Sequence, residues 1–178
     1  MRFFTPEETH QWCASQGIEL VDDFRLKTTY APENCLHVSL LNDVTRIVWF
    51  SNFIERTLTP RERCMLWVTR DGVWPTSENS HLYYRVRESY GDHRLLEEAP
   101  GHLFLEHERA DLATFIELGI ISGWDMYLLP TFGYGRVFIC HDEWIEFGMD
   151  NPKEIESIKG DLTKAGCRVL DWNGRLCV

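Results

Sequence analysis

The sequence predicts an α+β domain, a mainly antiparallel sheet with roughly four helices packed on it. Three observations carry that expectation. Apolar segments pair around short polar turns, most plainly over 136–147 and 167–178. A helix-start grammar of capping residue, proline and glutamate occurs twice, at Thr5-Pro6-Glu8 and at Asn151-Pro152-Glu154. The 178 residues contain no internal repeat and no low-complexity linker, which describes one domain, 1–178, long enough for a conventional core.

The first helix runs from the Thr5 cap through Trp12 and Cys13 to Gly17, a residue suited to end it. A short apolar stretch at Ile18 to Val21 reads as extended, and 22–34 reads as loop because of its polarity and Tyr30-Ala31-Pro32. Leu36, Val38 and Leu40 alternate with His37 and Ser39, the pattern of a half-buried strand. Residues 43–58 carry two signals. Val44, Ile47, Val48, Ile54 and Leu58 fit a helical face behind a cap at Asn42 or Asp43, while Thr45 to Phe50 is rich in strand formers. Length favours the helix.

Cys64 to Arg70 reads as a strand, and Asp71-Gly72 as a tight turn leading into Val73-Trp74. A helix is predicted over 77–90, with Leu82, Tyr83, Val86 and Tyr90 on one face and Gly91 beyond it. His102 to Glu106 reads as a short strand, and 109–121 as a helix closed by Gly123. A strand over 125–129, a Gly-rich turn at 131–135 and a hairpin of 136–140 with 144–147 follow. Both faces of Val137 to Cys140 are apolar, which places that strand inside a covered sheet. The last elements are a helix after Asn151, ended by Gly166, and a hairpin around Asn173-Gly174.

Composition narrows the function classes. The net charge is −10, and most of the excess lies beyond residue 88. Such a surface repels phosphate backbones, which argues against nucleic acid. No apolar run approaches the roughly 18 residues of a membrane span, and Met1 to Glu8 turns polar too soon for a signal peptide. The six cysteines are scattered singly among apolar neighbours, with no CxxC pair. Buried reduced thiols and a cytoplasmic location are the expectation. Seven Trp, ten Phe and six Tyr supply a large-residue core, with a few available as binding anchors.

Candidate chemistry is sparse. His102, Glu106 and His107 form the densest histidine–carboxylate cluster. On a strand His102 and Glu106 share a face, and His107 could fold back over it, giving donors for zinc or another first-row metal. The spacing is not that of a zincin, and Glu108 and Asp111 also suit an ordinary first helical turn. His141-Asp142-Glu143 at a hairpin tip offers a general acid–base group. Cys140 is adjacent to His141, but neighbours on a strand point to opposite faces, which argues against a thiol–imidazole pair. Cys35 and His37 share a face without a third group. Neither GxSxG nor a phosphate loop is present, and Gly133-Tyr134-Gly135 lacks what dinucleotide binding requires. No cofactor is expected.

The most suggestive feature is acidic. Asp142, Glu143, Glu146, Asp150, Glu154 and Glu156 face a single Lys153, with Trp144 and Phe147 interleaved. Aromatic anchors ringed by carboxylates suit contact with a basic protein, charge setting the on-rate and rings holding the complex. The expected partner-binding set is therefore Asp142, Glu143, Trp144, Glu146, Asp150 and Glu154. By compositional analogy this gives a non-catalytic, inhibitor- or immunity-like domain acting on a basic protein. The alternative is a small metal-assisted hydrolase using His102, Glu106 and His107 or the His141-Asp142-Glu143 group.

Overall fold

The computed structural model describes residues 1–27, 30–40, 43–58, 62–70, 80–131 and 135–170. Thr5 opens the first helix as its sequence predicts. Its hydroxyl accepts the Glu8 N–H at 3.2 Å, and the Glu8 carboxylate accepts the Thr5 N–H at 2.9 Å. This helix, α1 (Pro6–Ser15), follows strand β1 (Arg2–Phe4) and precedes a small ribbon of β2 (Leu20–Asp22) and β3 (Arg25–Leu26). The stretch expected as loop thus holds one strand, and a short 3₁₀ turn at Pro32–Asn34. The signal at Arg2–Phe4 is too short to show alternation. Pairing with a later strand is what makes β1.

The remaining strands are β4 (Cys35–Ser39), β5 (Arg63–Arg70), β6 (Gly101–Leu105), β7 (Asp125–Pro130), β8 (Arg136–Cys140) and β9 (Trp144–Gly148). Together with β1 they form a seven-stranded sheet ordered β1-β6-β5-β7-β8-β9-β4, each neighbouring pair antiparallel. The other helices are α2 (Val44–Leu58), α3 (Ser80–Ser89), α4 (Arg109–Ser122) and α5 (Pro152–Lys164). The α+β architecture is as expected, with α2 settling 43–58 as helix. Asp43 supplies its cap, accepting the Thr45 N–H at 2.9 Å. Ile47, Phe50, Ile54 and Leu58 then lie on one buried stripe, so packing outweighs the strand preference of the segment. The turn at Asp71-Gly72, the start of the helix expected at 77, the Gly-rich 132–134 and the Asn173-Gly174 hairpin lie outside the described residues. Of that hairpin's first strand, Val169 bridges Val38.

Period-two alternation divides the core. From β5, Cys64, Leu66 and Val68 join side chains of α2, α3, α4 and α5 on one face of the sheet. Met65 and Trp67 point to the other face, where Phe4, Trp12, Cys13 and Leu26 from α1 and its neighbours cover them. Both faces of β8 are covered in part, which explains its apolar sequence.

Gly101 is where α1 approaches the sheet most closely. A Cβ there would overlap Thr9 Oγ1 and stand 3.0 Å from Phe4 Cβ. Thr9 is buried and donates its hydroxyl to the Thr5 carbonyl at 2.8 Å, so it has no room to yield. Gly101→Ala is expected to cost about 1–3 kcal/mol by overpacking. Urea denaturation checks this, and an unchanged midpoint would show that α1 can move.

Candidate functional site

Strand β6 ends at Leu105, and a 3₁₀ turn begins at Glu106, where a strand was expected to continue. That early end separates the predicted metal set. His102 points into the helix-covered core and is fully buried, whereas Glu106 and His107 are exposed. Three ligands do not converge there. His102 instead ends a hydrogen-bonded chain. Its Nδ1 faces the Pro100 carbonyl at 3.0 Å and the Leu66 carbonyl at 3.3 Å, which assigns the proton to Nδ1. Nε2 then accepts from the Tyr83 hydroxyl at 2.8 Å, and Tyr83 accepts from Arg87 Nη1 at 2.5 Å. Arg87 Nε donates to Asp92 at 3.0 Å, and Arg94 also pairs with Asp92. Burial, with the Arg87 charge adding to it, pushes His102 down to about 3, so the imidazole is neutral. Burial works against the Asp92 carboxylate, yet hydrogen bonds from Arg94 and Arg87 outweigh it and hold that group at about 2.

The acidic stretch is split by β9. Trp144 is 5% exposed and Glu146 9%, both on the sheet face opposite α2, α3, α4 and α5. Glu146 accepts from Arg136 Nη2 at 2.8 Å and lies 3.0 Å from His37 Nε2. Burial disfavours its charge, but these two partners outweigh that and lower its pKa. Trp144 joins a row of rings, tilted against Phe138 at 5.5 Å and His37 at 5.7 Å. Asp142 and Glu143 are exposed at one end of β9, Asp150 and Glu154 at the other. The five-residue strand between them spans about 17 Å. The outward carboxylates thus form two pairs, and the tryptophan expected between them as an anchor faces inward.

Of the described thiols, Cys13, Cys64, Cys140 and Cys167 are buried as expected, and Cys35 is half-buried. Burial pushes Cys13 and Cys64 up to about 12 and Cys35 to about 11, so these remain protonated. No disulfide joins the described cysteines. Cys140 and His141 depart from the opposite-face argument. Cys140 is the last residue of β8 and His141 the first of the turn, where alternation stops. Their side chains meet, with Sγ 3.9 Å from Nδ1. Asp125 completes the group, its Oδ1 lying 2.8 Å from both the His141 backbone N–H donor and Nδ1.

Neither protein-family models nor curated proteins nor solved structures match this chain.

A cleft between α1, the β2–β3 turn and the β5 face has a volume of about 510 Å³. Phe24 supplies its aromatic wall, the largely buried Trp67 part of its floor, and His10, Glu7, Asp23 and Glu97 its polar groups. Phe24 is 61% exposed, and all three carboxylates are exposed. His10 is oriented by the Asp23 carbonyl at 3.1 Å and by the edge of Trp67. Among the described lining residues there is no lysine or arginine. A second cleft of about 380 Å³ mixes Lys27 and Arg136 with Glu19 and Asp150, so it offers no single sign of charge. Sequence reasoning missed the first cleft because Glu7, Asp23, Trp67 and Glu97 are remote in the chain.

Proposed function

We propose that this chain is a non-catalytic binding protein for a basic protein partner, which seats an arginine or lysine side chain in the Trp67 cleft. The observation that carries the reading is the pairing of the exposed Phe24 ring with three carboxylates of one sign. A cation gains from the exposed Phe24 ring and the negative rim together, while the buried Trp67 only floors the cleft. The rim sets the encounter rate, and the ring sets the residence time. The carboxylates at Asp142, Glu143, Asp150 and Glu154 add to the long-range negative field that draws in such a partner. Buried, protonated thiols suit a reducing compartment such as the cytoplasm. The metal-assisted hydrolase reading draws no support from His102, Glu106 and His107, which stand apart.

The test uses the whole chain on a sensor surface against peptides centred on Arg, Lys, Glu or Leu. Arg- and Lys-centred peptides are expected to bind, more weakly as salt rises. The exposed charge reversals Glu7→Lys with Glu97→Lys are expected to slow association at least about tenfold, leaving the melting temperature nearly unchanged. Binding that ignores salt and both reversals, or that favours the Glu-centred peptides, would overturn the proposal.

A further inference from the structure

The geometry points to a transition-metal site, suited to zinc, formed by Asp125, Cys140 and His141. The three residues come together through strand pairing. Met126 lies opposite Ile139, so one further step of the antiparallel register brings Asp125 across from Cys140. His141 then turns at the end of β8 so that its ring reaches back to both. One donor atom from each residue lies within 4.8 Å of the other two. Asp125 and Cys140 are buried and His141 is partly exposed, so solvent reaches the group from one side only.

Which ring nitrogen each neighbour addresses decides between two chemistries. A thiol nucleophile activated by histidine needs the sulfur on one ring nitrogen and the orienting carboxylate on the other. Here Cys140 Sγ and Asp125 Oδ1 both face Nδ1, at 3.9 and 2.8 Å. That is no relay. It is the convergence that a single ion requires, with sulfur, nitrogen and oxygen donors whose mixed softness suits zinc over magnesium or calcium. The other nitrogen, Nε2, lies 3.4 Å from Asp142 Oδ1. A carboxylate in that place holds the Nε2–H tautomer and leaves Nδ1 to donate to the metal.

The proton balance is explicit. Cys140 coordinates as the thiolate, its proton passing to solvent, and His141 coordinates through Nδ1 with a proton on Nε2 facing Asp142. Asp125 exchanges its ring hydrogen bond for the ion and keeps the His141 backbone N–H. The fourth position of a tetrahedral ion falls to solvent water. The site would pin the start of β7 to the β8–β9 turn.

An ordinary alternative exists, in which Asp125 only caps the turn by accepting from His141. It uses no sulfur, and the test turns on that difference. Protein stripped with a chelator is titrated with Zn²⁺ by calorimetry, and with Co²⁺ while the visible spectrum is recorded. Expected are one ion per chain, proton uptake by the buffer, and a thiolate-to-cobalt charge-transfer band with tetrahedral d–d intensity. Cys140→Ser is expected to abolish the band, and His141→Ala to weaken binding at least about a hundredfold. Asp142→Asn, at an exposed position that leaves the fold intact, is expected to weaken it about tenfold. Absence of stoichiometric binding by the unmodified chain overturns the site. So does binding that Cys140→Ser and Asp142→Asn leave unchanged, or a cobalt spectrum without thiolate.

Discussion

Acidification from pH 7 to pH 5 is expected to lower the stability of this protein by about 2 kcal/mol through His102 alone. The sign follows from where the proton binds. In the unfolded chain the imidazole takes up a proton below its ordinary 6.5, whereas the buried ring in the fold does so only near 3. Between those values the unfolded state holds one more proton, so stability is complete above 6.5 and declines by about 1.4 kcal/mol for each pH unit lost. The carboxylates with depressed pKa values, Glu146 and Asp92, act in the same direction but only nearer their ordinary values of 4.5 and 3.8. The interval from pH 7 to pH 5 thus separates the His102 effect from those of the two carboxylates. Urea denaturation at the two pH values measures the effect, and His102→Gln is expected to remove most of it while keeping a polar group against Tyr83. An equal pH dependence in wild type and His102→Gln would mean that the ring is reached by water.

Arg87→Ala is expected to be the most damaging single substitution in the same network, at about 3–5 kcal/mol. The side chain is fully buried. Its guanidinium lies over the Phe3 ring at 4.6 Å, donates to Tyr83 and pairs with Asp92. Nη2 has no hydrogen-bond partner among the described residues, so the Phe3 ring is what offsets its desolvation. Alanine would open a cavity, leave the Tyr83 hydroxyl without its donor and leave Asp92 to Arg94 alone. Arg87→Met refills the volume without restoring donors and is expected to fall between wild type and alanine. Because Arg87 and His102 share Tyr83, the double variant Arg87→Met, His102→Gln should be less destabilised than the sum of the two. Additive losses would show that the chain of hydrogen bonds carries no coupling.

The readings from sequence that held were those whose cause is local. The capping box at Thr5 and Glu8, the Asn151 cap that accepts the Lys153 N–H, and the left-handed Gly123 that ends α4 each depend on a few adjacent residues. Alternation in β4 and the apolar run of β8 likewise reported which faces were covered. Readings of side-chain direction departed from the structure where a local rule was carried past the end of an element. His102 and Glu106 share a face only while the strand lasts, and it ends at Leu105. Cys140 and His141 point apart only while alternation continues, and it stops between them.

Sequence alone therefore determined the α+β class, the helix termini, the buried thiols and the acidic charge, all of which follow from short-range pattern or from composition. Tertiary structure decided everything that depends on residues meeting across the sheet. Strand register brought Asp125 to His141, pairing with Arg136 drew Glu146 inward, and the packing of α1 over β5 set Glu7, Asp23 and Glu97 around Trp67. The physical reason is that a site is a set of distances, and distances between remote residues are fixed by the pairing of strands and the docking of helices, which no single segment encodes.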